Sequence, residues 1–317
     1  MAKASALLGQ QVTYGDNQSI RSAFSDGGSQ SGGAAGAAAA ALSHTLVGPR
    51  SGLQFDLIWD PSVASAPPGF KADVIRTAEL YSSLYSGTKE IVAINVGYGE
   101  VGGIPLAAGD LGESLTAGYL TDYPTVTSAL GAQGFSFNAS NEPVDGAFFV
   151  PSAQAKSWGL ADPYTTTPDG YIGFGTLAGT GYSWNTHATA TGAGSGTGPN
   201  QVDLQSVIQH EMSEVMGRIG IEGADVFGPS LPTYTALDLF NYSSPGTLEL
   251  SGDGGDIADW ASYSSIADSH TLGLAPGDQD SYDAFGRAGT NGALSASDLL
   301  VDRSLGYSFT PAGHLMA

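Results

Sequence analysis

Apolar positions along the chain change period several times, and those changes mark out the elements. From Val202 to Arg218 the sequence reads VDLQSVIQHEMSEVMGR, in which Val202, Val207, Ile208, Met212, Val215 and Met216 recur at an interval near 3.6. Pro is absent from this run, and Gly does not occur before Gly217. The spacing predicts one amphipathic helix over residues 202–218. Asp203 falls in its first turn, where a carboxylate suits the positive helix end, and Gly217 followed by Arg218 suits its stop.

Upstream, LQFDLIWD over residues 53–60 alternates and predicts a half-buried strand, followed by a Pro-broken loop. Val74, Ala78, Tyr81 and Tyr85 set a helical period over residues 71–85, and IVAINV at 91–96 reads as a second strand ended by GYGEVGG. Strand, helix and strand in this order outline an α/β or α+β layer. Short helices are expected at 114–119 and 123–130, a strand at 147–150, a helix at 152–160, and strands at 169–174 and 182–184. The tail predicts a helix over about 295–305, with Asp298 and Asp302 on its outer side.

Residues 1–50 are weakly patterned, and SDGGSQSGGAAGAAAAALS within them reads as a Gly/Ser tract running into an Ala block. The expected organisation is a flexible arm at 1–50, a subdomain at 51–218 that ends with the long helix, and a Gly/Asp-rich C-terminal subdomain at 219–317. No repeat of fixed period occurs.

Composition narrows the function classes. Ten basic against 31 acidic residues leave a net charge of −21, so nucleic acid and anionic membrane surfaces are excluded as expected partners. Charged residues make up only 13% while Gly numbers 46, which gives the polar, weakly charged surface common in secreted and cell-surface proteins. Cys is absent, which removes disulfides, thiolate ligands and Cys nucleophiles together. The N-terminus lacks the apolar stretch of a cleavable signal, and no apolar run approaches the length of a membrane span. A secreted or cell-surface location without a cleavable signal in this chain, and no membrane insertion, are therefore expected.

The chemistry centres on the long helix. His210 and Glu214 stand four residues apart and so share one face, one turn apart, while Glu211 is rotated from His210 by about 100°. This is the geometry of the His-Glu-x-x-His zinc helix, in which the two outer side chains bind metal and the inner Glu activates water. Glu214 replaces the second His, and a carboxylate also binds zinc. The competing reading is a solvated polar face at the end of a helix. With only 5 His and few charges in the chain, three such residues together are less ordinary than they would be elsewhere. In SGDGGDIAD, Asp253, Asp256 and Asp259 place oxygens at turn spacing, which fits either Ca²⁺ or solvated turns.

QSVIQHEMSEVMGR, with the later ALDLFNYSSPG, DGGD…ADW and LVDRSLGY, resembles a group of bacterial secreted, zincin-like metalloproteases related to the metzincins. FDLIWD, IVAINVGYGEVGG and DGYIGF extend the resemblance over roughly residues 53–307. It implies an α+β, zincin-like fold, a twisted mixed sheet packed on a central active-site helix. It also implies a zinc peptidase acting on protein or peptide substrates. His210 would be the first metal ligand, Glu211 the general base, Glu214 the second ligand and Gly217 the glycine of the sharp turn. The metzincin third-ligand position falls on Gly220, so another residue is needed. Asp238 in LDLF, His187 and His270 are the candidates, and Tyr242 could donate a phenolic hydroxyl to an oxyanion. The alternative is a non-catalytic structural or adhesive protein on the same scaffold, self-associating through the N-terminal arm.

Overall fold

A computed structural model describes residues 11–15, 42–137, 142–143, 146–186, 196–244, 247–248, 250, 279–282 and 288–309. In chain order the first elements are β1 (Gln11–Gly15), β2 (Ser43–Val47), β3 (Gln54–Trp59), α1 (Phe70–Leu84) and β4 (Ile91–Tyr98). A small hairpin, β5 (Glu100–Val101) and β6 (Ile104–Pro105), leads to β7 (Gly112–Thr121) and α2 (Tyr123–Ala132). Then come β8 (Ala147–Pro151), α3 (Ser152–Ser157), β9 (Gly170–Phe174), β10 (Ser183–Asn185), β11 (Gln201–Asp203) and α4 (Leu204–Met216). The remainder is β12 (Thr233–Tyr234), β13 (Tyr242–Ser244), β14 (Thr247–Leu248), β15 (Gln279–Asp280), β16 (Gly292–Ala293) and α5 (Ala296–Ser304).

The frame is an eight-stranded sheet in the order β12-β8-β7-β9-β4-β3-β2, with β1 also paired to β7. β3, β4 and β9 run parallel to their neighbours in that run, whereas β2/β3, β7/β9, β7/β8 and β1/β7 are antiparallel. The described residues thus form a mixed α/β molecule with a mixed multi-stranded sheet, several two-stranded pairs and few helices. β7 is the longest strand and serves several partners. Residues 112–116 pair with β9, 118–121 with β8, and 115–119 with β1. Because β1 overlaps both other pairings and a residue has only two strand edges, β8 and β9 share one edge of β7 and β1 takes the other.

α1 and α4 pack on one face of the sheet and touch each other, and the Tyr81 hydroxyl of α1 donates to the Gln209 carbonyl of α4 at 2.9 Å. The main core fills the space between them with Leu57, Phe55, Val74, Ile208, Met212 and Val215, all fully buried. Tyr14, Phe149, Ile219 and Ile221 form a separate cluster, and Val101 and Leu115 another beneath the hairpin.

Several expectations are revised. Residues 114–119 belong to β7 rather than to a short helix. In GESLTAGYLT small residues at Gly112, Ser114, Thr116 and Gly118 alternate with Glu113, Leu115, Ala117 and Tyr119, a two-residue period carried by size more than by polarity. β3 is buried at every position, not on one face only, because it lies inside the sheet under α1. Residues 11–15 and 43–47, expected in a flexible arm, are sheet strands. Residues 1–10 and 16–41 of that arm lie outside the described residues. Asp298 and Asp302 are 0% and 1% exposed instead of facing outward. Among the described residues no helix is long and apolar enough to cross a membrane.

Candidate metal centre on helix α4

β11 runs directly into α4, so the helix is shorter at its start than residues 202–218 suggest. Asp203 caps it by accepting from the Gln205 amide at 3.1 Å, and its other oxygen accepts from the Gly292 amide at 2.9 Å. The C-terminus closes with the Gly217 amide on the Glu214 carbonyl and the Arg218 amide on the Ser213 carbonyl, each at 2.9 Å. Gly217 adopts φ 121°, which an L side chain rarely tolerates, so a glycine is required at this turn.

The helix places His210 and Glu214 on one face, with Nε2 of the first 3.3 Å from Oε1 of the second. Neither they nor Glu211 form a solvated polar face: Glu211 and Glu214 are buried, and the His210 side chain is only 15% exposed. Two other segments hold these side chains. The His210 Nδ1 lies 3.3 Å from the Ser281 carbonyl oxygen, and the Tyr282 ring stacks on the imidazole with centroids 4.4 Å apart. From β7, the Ser114 hydroxyl donates to Glu214 Oε2 at 2.6 Å. Two residues earlier on the same strand face, Gly112 lies against Glu211, where an added Cβ would sit 2.3 Å from Oε1.

Behind this face lies a buried charged cluster. The guanidinium of Arg218 covers the other side of the Tyr282 ring, 3.6 Å from its centroid, and pairs with the Asp298 carboxylate. The Tyr282 hydroxyl returns a hydrogen bond to the Arg218 carbonyl, and the Tyr85 hydroxyl donates to Asp302 at 2.6 Å. Burial opposes the charge on Arg218, yet Asp298, Tyr282 and Asp302 outweigh it and raise its pKa. Burial, reinforced by Asp298, pushes Asp280 up to about 8, and burial pushes Asp302 up to about 7 against the pull of Arg218.

The remaining candidates are placed unequally. Asp238 is fully buried, and its carboxylate accepts from the backbone amides of Ile221, Glu222 and Thr235 at 2.8 to 3.3 Å. It organises the loop between α4 and β12. Burial raises its pKa to about 6 against those hydrogen bonds. Tyr242 lies in β13, with its side chain outside the described residues, and His187, His270, Asp253, Asp256 and Asp259 fall outside them altogether. The sequence reading did not find Ser114, Ser281 or Tyr282. Only the small-residue alternation of GESLTAG marks the strand that carries Ser114.

The donor chemistry allows a test of metal fit. A carbonyl oxygen only accepts, so the contact with Ser281 places the hydrogen of the imidazole on Nδ1. A neutral ring then turns its Nε2 lone pair toward the Glu214 carboxylate. Two such acceptors are stable face to face around a cation, when the ring is itself protonated, or when the carboxyl carries the shared proton. Their separation of 3.3 Å matches the edge of a tetrahedron, roughly 3.3 Å for zinc bonds of ~2.0–2.1 Å. His210 and Glu214 therefore fit as two ligands of a zinc ion. Among the described residues no group of three or more His, Asp and Glu is placed so that it could hold a metal ion. Comparisons with models of protein families, with curated proteins and with solved structures yield no match for this chain.

Proposed function

We propose that the protein is a zinc-dependent, endopeptidase-like hydrolase on a zincin-like scaffold, secreted or displayed at the cell surface and acting on protein or peptide substrates. The observation that carries this reading is the opposition of His210 Nε2 and Glu214 Oε1 at 3.3 Å on a helix whose intervening acid, Glu211, is also buried beside them. A bound zinc ion would supply a water of lowered pKa and polarise the scissile carbonyl. Glu211 accepts the proton of the attacking water and returns it to the leaving amide nitrogen. His210 and Glu214 would hold the metal, and the Ser281 carbonyl fixes the imidazole tautomer that would present Nε2 to it. His187 and His270, the other His candidates for a further ligand, and the SGDGGDIAD stretch, the candidate calcium loop, lie outside the described residues.

A second reading rests on the same pair. With a protonated imidazole, His210 and Glu214 form an ion pair one helical turn apart, and the protein is a structural or adhesive module without a reaction. Elemental analysis of the purified protein separates the two. One equivalent of zinc, lost in His210→Ala and Glu214→Ala together with casein hydrolysis, supports the peptidase. Wild-type protein that takes up no zinc from a saturating solution and leaves casein intact overturns it.

A further inference from the structure

The most specific feature of the centre is the strand that supports it. Ser114 is 2% exposed and sits on the α4-facing side of β7. Its hydroxyl reaches across to helix α4, 100 residues away in sequence, and donates to Glu214 Oε2 at 2.6 Å. The neighbouring Thr116 hydroxyl contacts the Glu214 carbonyl at 3.4 Å. A glutamate has three side-chain torsions, and an unsupported one on a helix swings among several rotamers. Here one oxygen is held by a strand and the other is left 3.3 Å from His210 Nε2.

We propose that Ser114 is a positioning residue of the centre: by holding Oε2, its hydroxyl fixes the Glu214 carboxylate with Oε1 aimed at the point that His210 Nε2 also faces. This rests on the metal-binding reading above. The physical basis is general, since groups hydrogen-bonded to a metal's ligands fix ligand orientation and basicity, and their loss weakens metal binding by about 10–100-fold. The size of residue 114 also matters. The strand face is built of Gly112, Ser114 and Thr116, so α4 lies close enough for a short hydroxyl to reach the carboxylate.

The test uses the full-length protein with Co²⁺ and Zn²⁺ alone. Affinity is read by competition with a chromophoric chelator, coordination by the visible spectrum of bound Co²⁺, and folding by thermal melting. Ser114→Ala is expected to bind both ions about 10–100-fold more weakly and to change the Co²⁺ spectrum, with its melting transition retained. Should the Ala variant not fold, Ser114→Thr and Ser114→Val, matched in shape, isolate the hydroxyl, and Thr should bind about 10-fold or more tighter than Val. Folded variants with wild-type affinity and an unchanged Co²⁺ spectrum overturn the inference but leave the metal centre standing. Wild-type protein that binds neither ion overturns both.

Discussion

Arg218 and Asp298 form an ion pair with side chains 1% and 0% exposed, joining the turn after α4 to the first turn of α5 across 80 residues of sequence. Asp298 also completes a capping box with Ser295, so one carboxylate both starts α5 and neutralises the largest fully buried side chain. Removing the acid alone strands a buried guanidinium. Asp298→Asn should destabilise the protein by about 3–5 kcal/mol in urea unfolding at neutral pH. The double replacement Arg218→Met with Asp298→Leu should cost less than that single change. A loss below about 1 kcal/mol for Asp298→Asn would show that the pair is not a structural anchor.

Asp302 gives the pH dependence. Its carboxyl ionises near 3.8 when unconstrained and near 7 in the fold, chiefly because burial disfavours the anion. The folded state therefore holds this proton more tightly than the unfolded state does. The associated stabilisation is complete below the unfolded value and is lost as pH rises through about 7. Asp280 and Asp238, raised to about 8 and about 6 mainly by burial, act in the same direction. Melting temperature should fall between pH 5 and pH 8, and Asp302→Asn should fall less steeply. Parallel wild-type and variant profiles would remove Asp302 from the explanation.

Asp238 should behave as a loop organiser. Asp238→Ala leaves the buried amides of Ile221, Glu222 and Thr235 without their acceptor, and a loss of at least about 2 kcal/mol is expected in urea unfolding. Zinc content should stay at the wild-type level in the folded fraction. Loss of zinc with unchanged stability would instead make Asp238 a ligand.

Gly112 sets the approach of β7 to Glu211. A Cβ there would also lie 2.7 Å from Val207 Cγ1, so Gly112→Ala must displace the helix or its carboxylate. Overpacking of this kind costs about 1–3 kcal/mol. Casein hydrolysis should drop on the order of a hundredfold, because Glu211 moves relative to His210. Gly131→Ala is the control, since an added Cβ there meets nothing within 4 Å. Equal hydrolysis by both variants would deny Glu211 a role in proton transfer.

Where local pattern decided the structure, the sequence was readable. α1 and α4 follow the spacing of Val74, Ala78 and Tyr81 and of Val207, Ile208 and Met212, and β4 and β9 follow their continuous apolar runs. β7 was missed because its two faces differ in size rather than polarity, and only the close approach of α4 makes Ser114 and Thr116 interior positions. Asp298 and Asp302 were placed outside because acids on a short helix are normally solvated. Their partners Arg218 and Tyr85 stand 80 and 217 residues away, beyond any periodicity.

The sequence by itself determined that His210 and Glu214 share a face, since residues four apart on any helix do, and that the helix ends at Gly217. Tertiary structure decided what that face means. It buried Glu211 and Glu214, set the Ser281 carbonyl on one imidazole nitrogen, and brought the Ser114 hydroxyl to one carboxylate oxygen. These contacts arise where a strand, a helix and a C-terminal segment meet, and such meetings depend on the packing of distant elements, which the local period of a chain does not record.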